Sequence, residues 1–145
     1  MERELVKNGD EILSPFAVMI KNGKVLCGYR NYTKDTYKDI SVWTLPGGRS
    51  QIGETVEQAL RREIMEEVDI TEFEIVDFIG ELPGMKANTT MLVFHTTTKQ
   101  ETKLMEPHKF SKWQWVSIKN YISEEKYGHL NPEVQKMIIN YLKKI

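Results

Sequence analysis

The sequence lacks what a disulfide-bonded or zinc-binding protein would need. Cys27 is the only cysteine among 145 residues, so no disulfide can form within the chain. It lies in an apolar run, and a small buried residue of this kind fits a reducing compartment. The three histidines, His95, His108 and His129, are scattered and form no Cys/His cluster.

Long apolar segments and a dominant charge of one sign are also absent. No apolar stretch approaches the roughly 20 residues of a membrane span, and residues 1–7 lack the apolar core of a signal peptide. The formal net charge is −1, which gives no bulk attraction to nucleic acid or to an acidic membrane. We therefore expect a cytoplasmic protein without a nucleic-acid or membrane partner.

The organisation of the chain predicts one domain over residues 1–145, because no repeat, low-complexity tract or linker divides it. Asn22-Gly23 between two apolar runs predicts a type I′ hairpin turn. Strands are predicted over residues 16–20, 25–29, 42–45, 73–82, 89–98 and 113–115. A helix on either side of this strand-rich centre predicts an α/β (α+β) fold, an α/β/α sandwich around a mixed sheet.

Both predicted helices carry clear start signals. Thr55 and Gln58 form a Thr-x-x-Gln capping box for the first helix. Asn131-Pro132 gives the second helix an N-cap followed by proline at its first position. The apolar residues after Pro132 keep helical spacing, which is more typical of a core face than of a partner site.

Three carboxylates on the first helix are the strongest functional signal. Glu63, Glu66 and Glu67 are spaced i, i+3 and i+4, so they share one face. Glu63 and Glu67 lie immediately beside an apolar stripe, and Glu66 lies further round. That stripe consists of Leu60, Ile64 and Val68. A Glu-rich helix is usually a solvated face, but clustered like charges beside a core are tolerable when a cation neutralises them.

Residues 48–70 resemble the signature of the MutT/Nudix family of pyrophosphohydrolases, Gly-x5-Glu-x7-Arg-Glu-U-x-Glu-Glu-x-Gly-U, in which U is aliphatic. Eight of its nine specified positions match, and Asp69 replaces the second glycine. Glycine there would take a left-handed conformation after the helix, which aspartate also visits at modest cost. The replacement affects local stability and removes no ligand.

The resemblance implies a Nudix sandwich and a metal-dependent hydrolase. It implies that Glu63, Glu66 and Glu67 bind Mg2+ or Mn2+, joined by the carbonyl of Gly47. Either Glu63 or Glu67 would act as the base for an attacking water, and the sequence does not choose between them. Arg62 is expected to position Glu63 or to pair with nearby acids.

Other residues resemble family features less specifically. Glu54 is expected to brace the loop before the helix. Glu106-Pro107 followed by Trp113-x-Trp115-Val116 resembles a segment of Nudix nucleoside triphosphate diphosphatases. Glu106 is therefore a candidate additional ligand or base, with an ordinary surface glutamate as the alternative.

Candidate substrate contacts complete the prediction. Arg30 is a candidate for pairing with a substrate phosphate, and an ordinary surface arginine is the alternative. Tyr32, Tyr37 and Trp43 are candidates for stacking on a base.

The resemblance implies hydrolysis of a nucleoside triphosphate, standard or oxidised, to the monophosphate and pyrophosphate. The enzymatic alternatives are hydrolysis of ADP-ribose or another nucleotide sugar, or of a dinucleoside polyphosphate. An alternative of another class is a non-catalytic nucleotide-binding regulatory module. The resemblance also allows a homodimer. It leaves the base preference open, because specificity lies in loops.

Overall fold

The computed structural model describes residues 1–31, 41–84, 86–128 and 131–145. The stacking candidates Tyr32 and Tyr37, and also His129, lie outside the described residues. The described strands are β1 (Leu13–Lys21), β2 (Lys24–Arg30), β3 (Val42–Thr44), β4 (Glu74–Pro83), β5 (Thr90–Thr97) and β6 (Phe110–Ser117). The described helices are α1 (Glu2–Leu5), α2 (Val56–Val68), α3 (Ile118–Ser123) and α4 (Pro132–Leu142), with a 3-10 turn at Glu125–Gly128.

The strands form one mixed sheet, as predicted. Its order is β3-β2-β1-β5-β4, with β6 on the other edge of β2. β1 and β5 are parallel, and the other pairs are antiparallel. The β1–β2 turn has positive φ at both Asn22 (51°) and Gly23 (72°), which confirms the predicted type I′ turn.

Residues 42–50 form a wedge between β1 and β2. The two strands hydrogen-bond to each other only beside their turn. Further along, β3 pairs with the end of β2, and the chain then reverses along β1. There the Ala17 N–H donates to the Pro46 carbonyl at 2.9 Å, and the Gly48 N–H donates to the Pro15 carbonyl at 3.1 Å. The glycine turn of the family signature is thereby fixed to the sheet.

Helix α2 begins and ends where the sequence predicts. The Gln58 N–H donates to the Thr55 side chain, and the Gln58 side chain accepts from the Thr55 N–H, so the capping box is confirmed. At the other end Asp69 has φ 58° and ψ 34°, and its N–H donates to the Met65 carbonyl. Aspartate thus takes the left-handed conformation that a glycine would usually supply.

Apolar side chains pack on both faces of the sheet. Met91 and Val93 of β5 join a cluster with α4, whereas Leu92 and Phe94 join a cluster with α2. Because successive strand residues point to opposite faces, the two helices lie on opposite sides of the sheet. The predicted α/β/α layering is therefore confirmed.

Short elements at both ends of the chain escaped prediction. α1 has four residues and α3 has six, too few for a periodic apolar pattern to show. The strand at β6 is also longer than the three residues predicted, since it runs from Phe110 to Ser117. Among the described residues, no helix has the length and apolar character needed to cross a membrane.

Candidate active site

Glu67 lies at the centre of the site, where α2 meets the wedge. It is 5% exposed, and the Gly47 N–H donates to its carboxylate at 2.8 Å. Burial raises the pKa of Glu67 well above its ordinary value; the Gly47 hydrogen bond lowers it, and the charges of Glu63 and Glu106 raise it again. A buried carboxylate whose pKa is strongly shifted by its surroundings is a candidate functional residue.

Glu63 and Glu66 complete the acidic cluster, the name used below for Glu63, Glu66 and Glu67. Burial also raises the pKa of Glu63, and the nearby Arg62 guanidinium opposes that rise. The Glu66 side chain is about half exposed. Glu67 is the most buried of the three and Glu66 the most exposed, which agrees with their helical positions relative to the apolar stripe.

Arg62 connects the acidic cluster to the loop before α2. Its guanidinium donates to Glu54 at 2.6 and 3.0 Å, to Glu63 at 3.1 Å and to Glu66 at 3.2 Å. It also donates to the Arg49 carbonyl at 3.2 Å. The hydrogen bond from Arg62 lowers the pKa of Glu54. Arg62 therefore pairs with three acids at once, and Glu54 joins the loop to the helix.

The loop over residues 98–109 brings Glu106 to the same site. The Lys103 N–H donates to the Val68 carbonyl at 3.0 Å, which fastens this loop to the end of α2. Glu106 pairs with Lys109 at 3.2 Å, and Lys109 in turn lowers the pKa of Glu63. Lys109 was not singled out from the sequence, although its spacing of three residues from Glu106 is a usual one for an ion pair within a turn.

Arg30 and Trp43, the predicted substrate contacts, lie near the wedge. The Arg30 guanidinium lies 5.5 Å from the centre of the Phe110 ring, and its charge lowers the pKa of Glu67. The Trp43 ring is 8% exposed and packs edge-on against Tyr29 and Tyr127 at 5.1 and 5.3 Å.

The cleft beside Trp43 has a volume of about 30 Å3, far below the roughly 300–1,000 Å3 of a pocket that encloses a ligand. Stacking of a base on Trp43 would therefore require neighbouring side chains to move. The assignments of Arg30 and Trp43 to substrate binding stay predictions.

The donor chemistry of the acidic cluster fits a divalent cation. Carboxylates and a backbone carbonyl are the oxygen ligands that Mg2+ and Mn2+ take, and a cation would neutralise the buried charge of Glu67 beside Glu63. In the part of the chain that the structure describes, no three acidic, histidine or cysteine side chains converge closely enough to hold a metal ion. Arg62 instead pairs with both Glu63 and Glu66 and supplies positive charge there.

The structure brings a partly buried acidic helix face and a glycine turn together on an α/β/α sandwich, the arrangement that the resemblance of residues 48–70 implies. The family model of the NUDIX domain matches residues 13–136. The chain therefore belongs to the Nudix family, as predicted from residues 48–70. The reaction class of this family, hydrolysis of pyrophosphate bonds, agrees with the predicted enzyme class.

Individual relatives are distant. The chain is 27% identical over 129 residues to Nudix hydrolase 5 of Arabidopsis thaliana, covering 85% of this chain but only 41% of that protein. It is 26% identical over 140 residues to an RNA pyrophosphohydrolase of Wolbachia sp. subsp. Brugia malayi (strain TRS), covering 82% of this chain and 83% of the relative. The chain thus spans about two fifths of the plant protein and most of the bacterial one.

A solved structure supports the fold. A MutT protein from Methanosarcina mazei Go1 superposes with a TM-score of 0.70 at 20% identity, covering 92% of this chain and 96% of that one. At this identity the likeness concerns the fold alone.

Proposed function

We propose that the chain is a Mg2+- or Mn2+-dependent hydrolase that cleaves a nucleoside triphosphate, standard or oxidised, to the monophosphate and pyrophosphate. The observation that carries this proposal is the buried carboxylate of Glu67. It accepts a hydrogen bond from the Gly47 N–H and lies close to the like charge of Glu63. Burying ionisable groups together costs stability. A cation needed for the reaction would neutralise their charge and explain why the carboxylates are placed together.

Glu63, Glu66, Glu67 and the Gly47 carbonyl would hold the cation after the three carboxylates, which do not converge closely enough in the structure, had moved together. When bound, the cation neutralises the phosphates and lowers the pKa of the attacking water. Either Glu63 or Glu67 would accept the proton of that water, and burial raises the pKa of both carboxyls in the metal-free protein. The Gly47 N–H orients Glu67, and Arg62 orients Glu63.

Three further residues would complete substrate binding. Glu106 would add a ligand or a second base, and its pairing with Lys109 beside the acidic cluster supports that role. Arg30 would bind a phosphate. Trp43 would contact the base once its cleft opens.

A 5′-triphosphate RNA end is a second candidate substrate, because the bacterial relative that the chain matches over most of its length is an RNA pyrophosphohydrolase. The bond cleaved and the residues used would be the same. A cytoplasmic location and a homodimer stay predictions of the sequence.

The test is the release of phosphate and pyrophosphate from a panel of substrates with Mg2+. The panel comprises standard and oxidised nucleoside triphosphates, ADP-ribose, a dinucleoside tetraphosphate and a 5′-triphosphate RNA. Glu67→Gln is assayed beside the wild-type protein. Glu57→Gln serves as the matched control, because Glu57 lies on the same helix but pairs with Arg61 away from the acidic cluster.

Pyrophosphate from a nucleoside triphosphate, lost in Glu67→Gln and retained in Glu57→Gln, supports the proposal. Turnover confined to ADP-ribose or to the dinucleoside substrate overturns the substrate assignment. Full turnover by Glu67→Gln overturns the site. Nucleotide binding without turnover of any substrate would favour the regulatory module.

A further inference from the structure

A groove beside the acidic cluster carries two cations that the proposed reaction has not used. Arg49 borders two recesses. The first also contains Arg62 and Glu63. The second, here called the Lys86 groove, has a volume of about 250 Å3 and is lined by Arg49 and Lys86 over an apolar floor of Phe16 and Met91.

The charge of the Lys86 groove is positive. Neither Arg49 nor Lys86 forms an ion pair with a carboxylate of the described residues, and none of the described residues that line the groove is acidic. Arg62 and Lys109, by contrast, are both paired with acids at the neighbouring cluster. Arg49 and Lys86 are both exposed, so the two groove cations are accessible to an anion.

The backbone at both cations is anchored. Lys86 lies in the turn between β4 and β5, where the Thr89 hydroxyl donates to the Lys86 carbonyl at 2.6 Å and the Gly84 N–H donates to the Thr89 carbonyl at 2.8 Å. The Arg49 carbonyl accepts from Arg62 at 3.2 Å. The Arg49 backbone is thus linked to the acidic cluster through Arg62, and Lys86 lines the same groove as Arg49.

The size of the groove restricts its occupant. Pockets that enclose a whole drug-sized ligand measure about 300–1,000 Å3, so a groove of about 250 Å3 suits one part of a nucleotide. With two cations and no acid on its described lining, that part is a phosphate group or a pair of them.

We propose that Arg49 and Lys86 form a subsite for the terminal two phosphates of the substrate, the part that leaves as pyrophosphate. This inference rests on the proposed function and deepens it. It makes the Lys86 groove the feature that distinguishes a substrate with three phosphates from one with fewer. Both residues would bind the terminal phosphates of the substrate directly and take no part in activating the water.

The experiment measures binding of inorganic pyrophosphate with Mg2+ by calorimetry, together with KM and kcat for a nucleoside triphosphate. Lys86→Gln and Arg49→Gln are each expected to weaken pyrophosphate binding about tenfold, the loss of one charge-assisted contact. KM should rise by a similar factor while kcat stays within about twofold. Lys86→Arg should retain the affinity of the wild-type protein.

Lys99→Gln is the matched control, since Lys99 is exposed but lies at the opposite end of β5, outside the groove. The inference is overturned if the wild-type protein does not bind pyrophosphate, if Lys86→Gln and Arg49→Gln bind it as tightly as the wild type, or if Lys99→Gln weakens it equally. A protein that turns over no triphosphate but loses pyrophosphate binding in the two groove variants overturns the proposed function and leaves the subsite standing.

Discussion

Gly48 and the carboxylate of Glu63 lie in direct contact, and only the absence of a side chain on Gly48 permits it. A β-carbon on Gly48 would lie 2.6 Å from the Cδ of Glu63. Gly53, in the same loop, differs: it has φ 85°, and a β-carbon there would meet no heavy atom within 4 Å. One glycine permits a close approach, and the other permits a backbone conformation.

The two glycines should therefore separate activity from stability. Gly48→Ala displaces Glu63 and is expected to lower kcat/KM about 100-fold. Gly53→Ala is expected to lower the free energy of unfolding by about 1–2 kcal/mol while leaving kcat/KM unchanged. Steady-state kinetics and urea denaturation of both variants test this pair. Equal loss of kcat/KM in the two variants would contradict it.

Glu67→Gln should stabilise the metal-free protein at high pH. The folded-state pKa of Glu67 is raised above the ordinary 4.5, so ionising this side chain costs stability progressively as the pH rises above 4.5. Glutamine is neutral at every pH and retains an oxygen to accept the Gly47 N–H. We expect its Tm to exceed that of the wild type at pH 8 by a few degrees, about 4 °C for each kcal/mol.

The difference in Tm between Glu67→Gln and the wild type should shrink as the pH falls towards 4.5. Added Mg2+ should raise the Tm of the wild type more than that of the variant, because a ligand stabilises the state that binds it. Thermal melts in chelator and in Mg2+, at several pH values, measure both effects. If Glu67→Gln were less stable than the wild type at pH 8 without metal, the raised pKa of Glu67 would be contradicted.

Arg62→Gln should destabilise the fold. Glu67→Gln should stabilise the metal-free protein, whereas this destabilisation should be largest above pH 4.5 and smaller in acid. The pKa of Glu54 is lowered by Arg62, so this pair contributes stability above pH 4.5 that is lost as the pH falls through the folded-state pKa. We expect the free energy of unfolding to fall by about 1–3 kcal/mol at pH 7 and by less in acid. Lys136→Gln, which breaks an exposed pair with Glu133, should change stability by less than about 0.5 kcal/mol.

Asp69→Gly should stabilise the protein without affecting turnover. Asp69 occupies a left-handed conformation that costs other residues about 1–2 kcal/mol, and a negative charge at a helix C-terminus is unfavourable. The greater freedom of glycine in the unfolded chain offsets part of this gain, so we expect about 0.5–1 kcal/mol. Asp69→Ala should have the opposite sign in the same denaturation experiment, and two changes of equal sign would contradict the conformational explanation.

Local signals in the sequence predicted the local structure. The Asn22-Gly23 turn and the caps of α2 and α4 each depend on a few adjacent residues, and the structure confirms all of them. The parallel pairing of β1 with β5 and the wedge between β1 and β2 depend on residues far apart in sequence. No single segment carries that information, so the sheet was predicted as mixed but without its order.

The same division applies to the candidate site. Helical spacing alone placed Glu67 nearer the core than Glu66, which the burial of the two residues matches. The Gly47–Glu67 hydrogen bond and the Lys86 groove could not be predicted. Each joins segments that only the folded sheet brings together. The sequence around Lys86 does not indicate which residues the folded chain places beside it.

The hydrogen bond from Gly47 to Glu67 makes one backbone amide a spectroscopic reporter. The Gly47 nitrogen lies 2.8 Å from an oxygen of the Glu67 carboxylate, whose charge changes with pH and with any cation beside it. Its chemical shift would follow the protonation state of Glu67 directly, without substrate and without turnover. A single resonance therefore reports the charge at Glu67 itself, whereas a pH–rate profile reports only the apparent pKa values of the coupled pair.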